Sequence, residues 1–122
     1  MINTKYKLSG NGLNVTTIRD LNFTKGQEPL TIPVDTKITI FFTENHPSRV
    51  VFDHNDVTYA LRVENLHSTV KGSKKFGKTP SEKSLEKMSN DGIVTTVTGY
   101  RTEPDGYGED GSPSWFLVLG VI

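Results

Sequence analysis

Residues 36–43 read Thr-Lys-Ile-Thr-Ile-Phe-Phe-Thr, a stretch in which apolar and more polar side chains alternate. Successive side chains of a β-strand point to opposite faces of a sheet, so this spacing gives the segment two faces. One face carries Ile38, Ile40 and Phe42. The other carries Lys37, Thr39, Phe41 and Thr43. The pattern predicts a strand with one face in the core and the other partly in contact with water.

Other segments before the middle of the chain also have strand character. Residues 57–64, Val-Thr-Tyr-Ala-Leu-Arg-Val-Glu, alternate regularly and predict a half-buried strand with Arg62 on its outer face. Further strands are predicted at residues 6–8, 13–18, 30–32 and 49–52.

Two strands and a loop are predicted near the end of the chain. Residues 93–100 are rich in Thr and Val, and residues 115–122 are apolar at every position that carries a side chain. We expect residues 115–122 to form a strand inside the sheet, because an entirely apolar strand is covered on both faces. Residues 103–113 are too long and flexible for a tight hairpin turn, and predict a protruding loop.

One short helix is predicted from its capping residues. In the segment Thr-Pro-Ser-Glu, Thr79 and Glu82 have the spacing of a capping box. Pro80 then falls at the first helical position, where its missing N–H costs nothing. The Asn-Asp-Gly segment at 90–92 supplies a left-handed stop. The helix is therefore predicted from about Pro80 to about Ser89.

The order of these elements predicts a mainly β domain that spans residues 1–122. Several strands, one helix, and two strands joined by a long loop suit an OB-like Greek-key β-barrel, with its helix between the third and fourth barrel strands. Residues 1–34 belong either to the barrel or to an N-terminal strand extension. A β-sandwich or an SH3-like barrel is the alternative architecture.

The composition limits the location and the kinds of site. A chain of 122 residues has the size of one domain, and its lack of cysteine excludes disulfides, thiolate metal sites and cysteine nucleophiles. The N-terminal segment lacks the apolar stretch of a secretory signal, and no segment reaches the roughly 20 apolar residues that span a bilayer. We expect a cytoplasmic protein with no membrane partner.

Motifs for catalysis or for cofactor binding are missing from the sequence. Neither a Gly-x-Ser-x-Gly nucleophile elbow nor a phosphate-binding loop occurs. His54 lies near Asp53 and Asp56, but their spacing matches no metal motif and favours a polar turn. Residues 105–111 lack the ligand spacing of a calcium loop. The sequence predicts a protein that is not an enzyme and uses no cofactor or metal.

Charge is segregated along the chain although its sum is zero. Fourteen basic residues balance fourteen acidic ones. The segment 71–87 holds six lysines: Lys71, Lys74, Lys75, Lys78, Lys83 and Lys87. The loop 103–110 holds four acidic residues and no basic one: Glu103, Asp105, Glu109 and Asp110.

The lysine-rich loop 70–78 is the first candidate binding element. Lysines can neutralise phosphates, its two glycines allow close approach, and Phe76 could stack on a base. The alternative is a solvated loop with Phe76 in the core. For Lys83 and Lys87, alternation with glutamates favours an ordinary solubilising helix face.

Exposed aromatic residues are the second ingredient of single-strand binding. Phe41 lies on the wetter face of its predicted strand, and Tyr107 stands between two glycines of the long loop. Core packing is the alternative for Trp115. The predicted nucleic-acid-binding residues are Arg62, Lys71, Lys74, Lys75 and Lys78 for the backbone, and Phe41, Phe76, Tyr100, Tyr107 and Trp115 for the bases.

The layout resembles that of small single-stranded-DNA-binding proteins of bacteriophages with a compact OB-like fold. The segments that carry the resemblance are residues 57–64, 71–78, 93–100 and 115–122. The chain is also similar in length, in its lack of cysteine and in closing on an apolar segment without an acidic tail. The resemblance implies binding of single-stranded DNA with little sequence preference, in the host cytoplasm and in the service of DNA replication.

The acidic loop 103–110 supports an alternative function. Its charge is wrong for contact with phosphates, and suits instead a protein partner. On this alternative the chain is a protein–protein interaction module, either a viral factor that binds a host protein or a component of the virion.

Overall fold

The structure of the protein, a computed structural model, describes residues 2–122. Five strands form an antiparallel sheet, and two pairs of strands form small separate sheets. Within the described range the strands are β1 (Leu8–Thr17), β2 (Leu21–Lys25), β3 (Glu28–Ile32), β4 (Lys37–Thr43), β5 (Arg49–His54), β6 (Val57–Arg62), β7 (Val70–Gly72), β8 (Val94–Thr95) and β9 (Arg101–Thr102). The large sheet has the order β6-β5-β4-β1-β7.

The prediction of a mainly β fold is confirmed, whereas the OB-like Greek-key barrel is not. The five strands form an open sheet with β6 and β7 at its edges. The helical elements are a 3₁₀ turn (Val63–Asn65), α1 (Leu66–Thr69), α2 (Glu82–Asp91) and α3 (Trp115–Leu119). Helix α2 follows all five strands of the large sheet in the chain, instead of lying between the third and the fourth.

Strand β4 occupies the middle of the sheet, and its faces follow the predicted alternation except at Thr43, which is buried although it was predicted on the wetter face. Ile38, Ile40 and Phe42 are all buried. Val15 and Leu13 of β1 lie opposite Ile38 and Ile40 in the antiparallel register. Because β1 and β5 pair with the two sides of β4, this strand organises the core through apolar contacts on one face.

The β2–β3 hairpin packs against the core side of the sheet. Leu21 and Ile32 are buried at its base. The Phe23 ring lies 4.7 Å from that of Tyr59 and 6.4 Å from that of Phe52, measured between centroids. Strand β2 was absent from the sequence predictions. Residues 6–8 and 13–18 were predicted as two separate strands. In the structure, β1 runs without interruption from Leu8 to Thr17 and lies between β4 and β7.

Helix α2 begins two residues later than predicted. Ser81, and not Thr79, is its N-cap, and the Ser81 hydroxyl accepts a hydrogen bond of 3.2 Å from the Ser84 N–H. Both residue types cap helices well, so the composition of the segment alone does not choose between them. At the other end, Gly92 has φ of +70°, which confirms the left-handed stop.

The prediction of a closing strand at residues 115–122 was wrong. The segment forms helix α3, whose N-cap Ser114 accepts a hydrogen bond of 3.2 Å from the Leu117 N–H. Trp115 and Phe116 are buried, whereas Ile122 is exposed. A continuous apolar run has no period of two, so it does not distinguish a buried strand from a buried helix.

The strand predicted at residues 93–100 is also shorter than expected. Only Val94–Thr95 pair with Arg101–Thr102, and the chain turns between them. Gly99, with φ of +94°, lies in that turn. Val94 and Val97 point into the core and account for the apolar character of the segment.

The loop 103–113 packs against the sheet, and its predicted protrusion was wrong. Ser9 Oγ donates a hydrogen bond of 2.8 Å to the Gly111 carbonyl, and Ser112 is buried. The register of β1 shifts between Ser9 and Leu13, and at this bulge the loop backbone approaches the strand closely. A Cβ atom on Gly10 would lie 2.5 Å from the Asp110 carbonyl oxygen.

None of the helices in the described part of the chain has the length and apolar content required for a bilayer crossing.

We expect Gly111→Ala to lower the free energy of unfolding by about 2–4 kcal/mol, the sum of a left-handed backbone penalty and a steric clash with β1. Gly111 has φ of +85°, and its Cβ would overlap the Ser9 carbonyl. Urea unfolding, followed through the fluorescence of Trp115, measures the change. Gly92→Ala is the matched control, because Gly92 has φ of +70° but no atom near its Cβ position. Equal losses for the two variants would contradict the close approach.

Candidate nucleic-acid interface

The outer face of the large sheet carries a groove, here called the sheet groove, with a volume of about 820 Å³. The antiparallel register places Thr16 of β1 between Lys37 of β4 and Lys71 of β7, so these side chains form one row across the sheet. The neighbouring row pairs Asn14 with Thr39. The groove is lined by Ile2, Asn14, Val15, Thr16, Lys37, Ile38, Thr39, Phe41, Asp53, Lys71 and Gly72.

Phe41 is the aromatic residue of the sheet groove. Its ring is partly exposed and lies against the backbone of β1 at Gly12. A Cβ atom on Gly12 would lie 2.7 Å from Cε1 of Phe41, so any larger residue there would displace the ring. Gly12 also has φ of +85°, a conformation that favours glycine. The local backbone of β1 therefore supports an aromatic surface on the outer face.

The lining of the sheet groove includes two lysines and one acidic residue. Lys37 and Lys71 are exposed, and Asp53 is the acidic lining residue. Asp53 accepts a hydrogen bond of 2.6 Å from Thr58 Oγ1. Asn14 Oδ1 accepts another, of 2.7 Å, from Thr39 Oγ1. The groove thus offers cations and an aromatic ring, while part of its hydrogen-bonding capacity is used internally.

A second groove, here called the edge groove, runs on the other side of β7 and has a volume of about 690 Å³. It is lined by the consecutive residues 70–78 together with Ile18 and His67. Four lysines and no acidic residue belong to this lining. Lys71 and Gly72 line both grooves, so the two grooves meet at β7.

The basic and acidic loops meet at Lys74. Its ammonium donates hydrogen bonds of 3.1 Å to Asp110 Oδ2 and of 3.1 Å to the Tyr100 hydroxyl, and lies 4.6 Å from the Tyr100 ring centroid. The two chain segments are far apart in sequence, yet this contact joins them. Lys74 is therefore engaged within the protein and is less available to a phosphate than Lys71, Lys75 or Lys78.

Asp110 is the centre of a polar cluster, and its side chain is only 4% exposed. Burial raises the pKa of its carboxyl, but hydrogen bonds from Ser112, Thr98 and Lys74 oppose this effect, and the net pKa lies below the usual value. Ser112 donates to Oδ1 through its N–H at 3.0 Å and its hydroxyl at 2.6 Å, and Thr98 Oγ1 donates to Oδ2 at 2.6 Å. Asp110 is thus held as a carboxylate that anchors Lys74.

Two of the aromatics predicted to stack on bases are core residues. Phe76 is 6% exposed and Trp115 is 2% exposed, so neither ring offers a free face, and this part of the predicted site was wrong. Both belong to the cluster of apolar side chains beneath the sheet, where burial of a large ring stabilises the fold.

The remaining predicted residues lie in different places. Tyr107 donates a hydrogen bond of 3.3 Å to the Glu44 carbonyl and does not belong to the lining of either groove. Arg62 lies on β6, the sheet edge opposite β7, and pairs with Glu64 at 3.3 Å. Tyr100, by contrast, lies beside Lys74 and Lys75, and the three line a shallow groove of about 300 Å³.

Lys37, Asn14, Thr16 and Thr39 are lining residues of the sheet groove that the sequence-based site did not include. The signal for them was present, because the alternation in residues 36–43 already places Lys37 and Thr39 on the face of Phe41. Asn14 and Thr16 lie on β1, far from Lys37 and Thr39 in the chain, and the outer faces of the two strands come together only in the folded sheet.

No protein-family model, curated protein or solved structure matches this chain. Within residues 2–122, no three His, Asp or Glu side chains are grouped as metal ligands.

We expect Asp110→Asn to lower the free energy of unfolding by about 1–3 kcal/mol near pH 7, because charge-assisted hydrogen bonds are lost. The folded-state pKa of Asp110 is lowered, so its contribution is complete above the unfolded value of about 3.9 and is lost as the pH falls through the folded value. The difference between wild type and variant should therefore shrink on acidification.

Urea unfolding at about pH 7, pH 5 and pH 3 measures that difference. Glu109→Gln is the control, since Glu109 is an exposed neighbouring carboxylate and its removal should change little at any pH. A loss in Asp110→Asn that stays constant over this range would contradict the assigned role.

Proposed function

We propose that the protein binds single-stranded nucleic acid, with DNA favoured, and that it does so without catalysis and with little sequence preference. The observation that carries the proposal is the sheet groove, in which the partly exposed ring of Phe41 lies in one concave surface with Lys37 and Lys71. An aromatic platform beside cations is the combination that non-specific single-strand binders use.

Stacking on Phe41 supplies the contact with bases. Stacking of one base on an aromatic side chain contributes roughly 1–3 kcal/mol and tolerates any base, because every base has a π-face. The ring is supported from behind by Gly12, so little conformational freedom is lost when a base binds. Strand β4 is paired on both sides, which gives the platform a rigid base.

Lysines supply the contact with the backbone. In the register of the sheet, Lys37 of β4 and Lys71 of β7 lie on either side of Thr16 of β1. A nucleic-acid strand that crosses β1 at this point therefore meets one lysine before β1 and one after it. With a net charge of zero, the whole molecule exerts little long-range attraction on phosphates. Binding should therefore depend on these local contacts and should weaken with salt.

Low sequence preference follows from the polar groups of the groove. Asn14 is a side chain that could read base edges, but its carbonyl oxygen already accepts from Thr39. OB-like domains also bind oligonucleotides across a strand face, and the OB-like relationship remains part of this proposal. A bacteriophage origin and action in the host cytoplasm are also part of this proposal.

We expect Phe41→Leu to weaken binding of a fluorescent oligo-dT by about 5- to 150-fold, the equivalent of roughly 1–3 kcal/mol of stacking. Phe41→Tyr should bind like the wild type, because it retains the ring. Fluorescence anisotropy at low salt measures both variants, and thermal unfolding confirms that they are folded. Equal binding by wild type and Phe41→Leu would contradict stacking at Phe41.

The charge contacts are tested with a double variant. Lys37→Glu with Lys71→Glu should abolish measurable binding between about 50 and 200 mM salt, whereas Lys83→Glu with Lys87→Glu should bind like the wild type. The control lysines are exposed on α2 and change the net charge equally. Absence of wild-type binding at low salt, or equal losses in the two double variants, would refute the proposed function.

A further inference from the structure

We infer that the bound strand does not end at the sheet groove but passes around the edge of β7 and continues along the edge groove toward Tyr100. This inference rests on the proposed function and specifies its ligand as a single strand long enough to occupy both grooves. Three observations carry it: the continuity of the surface, its charge, and the orientation of the β7 backbone.

The surface is continuous because neighbouring grooves share residues. Lys71 and Gly72 belong to both the sheet groove and the edge groove. Lys74 and Lys75 belong to both the edge groove and the shallow groove that contains Tyr100. A chain that follows this surface has an aromatic ring near each end, Phe41 at the start and Tyr100 at the finish.

The charge of the edge groove suits a polyanion. Lys71, Lys75 and Lys78 are exposed, and no ion pair engages them among the residues that the structure describes. Lys74 is neutralised locally by Asp110, which leaves three cations for phosphates. Ile18, which is 41% exposed, provides apolar contact for sugars or bases beside these cations.

The backbone of β7 offers a further donor at the crossing point. Ile18 donates to the Thr69 carbonyl at 2.9 Å, which shows that Thr16 and Lys71 form the next hydrogen-bonded pair in the ladder. The adjacent pair, Val15 and Gly72, is then a non-hydrogen-bonded one. The Gly72 N–H therefore points away from β1 toward the free edge, where a phosphate would pass.

A path around a strand edge selects for flexible ligands. Double-stranded DNA has a persistence length of about 150 base pairs and cannot bend around β7 over a few nucleotides. A single strand can follow the turn. The inferred ligand is consequently single-stranded DNA or RNA, with full affinity only when it is longer than the stretch held by the sheet groove.

The test compares wild type with Lys75→Ala/Lys78→Ala, using oligo-dT of about 4 and about 12 nucleotides, lengths within the range that single OB-sized domains cover. For the longer oligonucleotide we expect about 10-fold weaker binding near 0.1 M salt. The slope of log K against log salt should fall by about 1.4, since two contacts to single-strand phosphates are lost. For the shorter oligonucleotide, affinity and slope should not change. Lys83→Ala/Lys87→Ala is the control.

The outcomes separate the path from the function. An effect of Lys75→Ala/Lys78→Ala confined to the longer oligonucleotide supports the path. No effect at either length, or an equal effect at both, overturns the path while leaving binding in the sheet groove intact. Duplex of 12 base pairs that competes as well as the single strand also overturns it. If wild type binds neither length, the proposed function fails as well.

Discussion

The architecture depends on the bulge in β1, where the backbone of the strand is approached from two sides. Gly10 admits the carbonyl of Asp110, and Gly12 admits the ring of Phe41. A side chain at either glycine would clash, and both have positive φ. The same irregularity therefore holds the loop 103–113 against the sheet and supports the aromatic surface of the sheet groove. Bulges are common where a sheet must redirect a side chain for function.

The second constraint is the contact between the basic and acidic loops. Asp110 is almost fully buried and is kept as a carboxylate by Ser112, Thr98 and Lys74. Breaking a buried pair leaves an uncompensated charge, so this contact fixes the relative positions of the loops. In the sequence, the basic and acidic loops have the character of two independent binding surfaces. In the structure, Lys74 and Asp110 join them in one internal network. The other lysines of the basic loop, Lys71, Lys75 and Lys78, line the grooves.

Local periodicity predicted β4 well, because its side chains alternate between buried and more exposed positions from Lys37 to Phe42. It also predicted β6, although that strand ends at Arg62 and residues 63–65 form a 3₁₀ turn. It failed for residues 115–122, where an entirely apolar run lacks a period and Ser114 caps a helix. Of the predicted site residues, Phe41, Lys71, Lys75 and Lys78 line the two grooves, whereas Phe76 and Trp115 are buried. Pairs such as Lys74 with Asp110 are separated by 36 positions, and only the tertiary fold brings them together.

Binding of a single strand across the outer face of the sheet can be mapped residue by residue with NMR. Amide shifts of ¹⁵N-labelled protein are followed during titration with oligo-dT. If a strand binds there, the largest changes should occur in residues 14–16, 37–39, 41 and 71–78, which line the two grooves. Changes confined to residues 103–109, or no changes at saturating oligonucleotide and low salt, would contradict it.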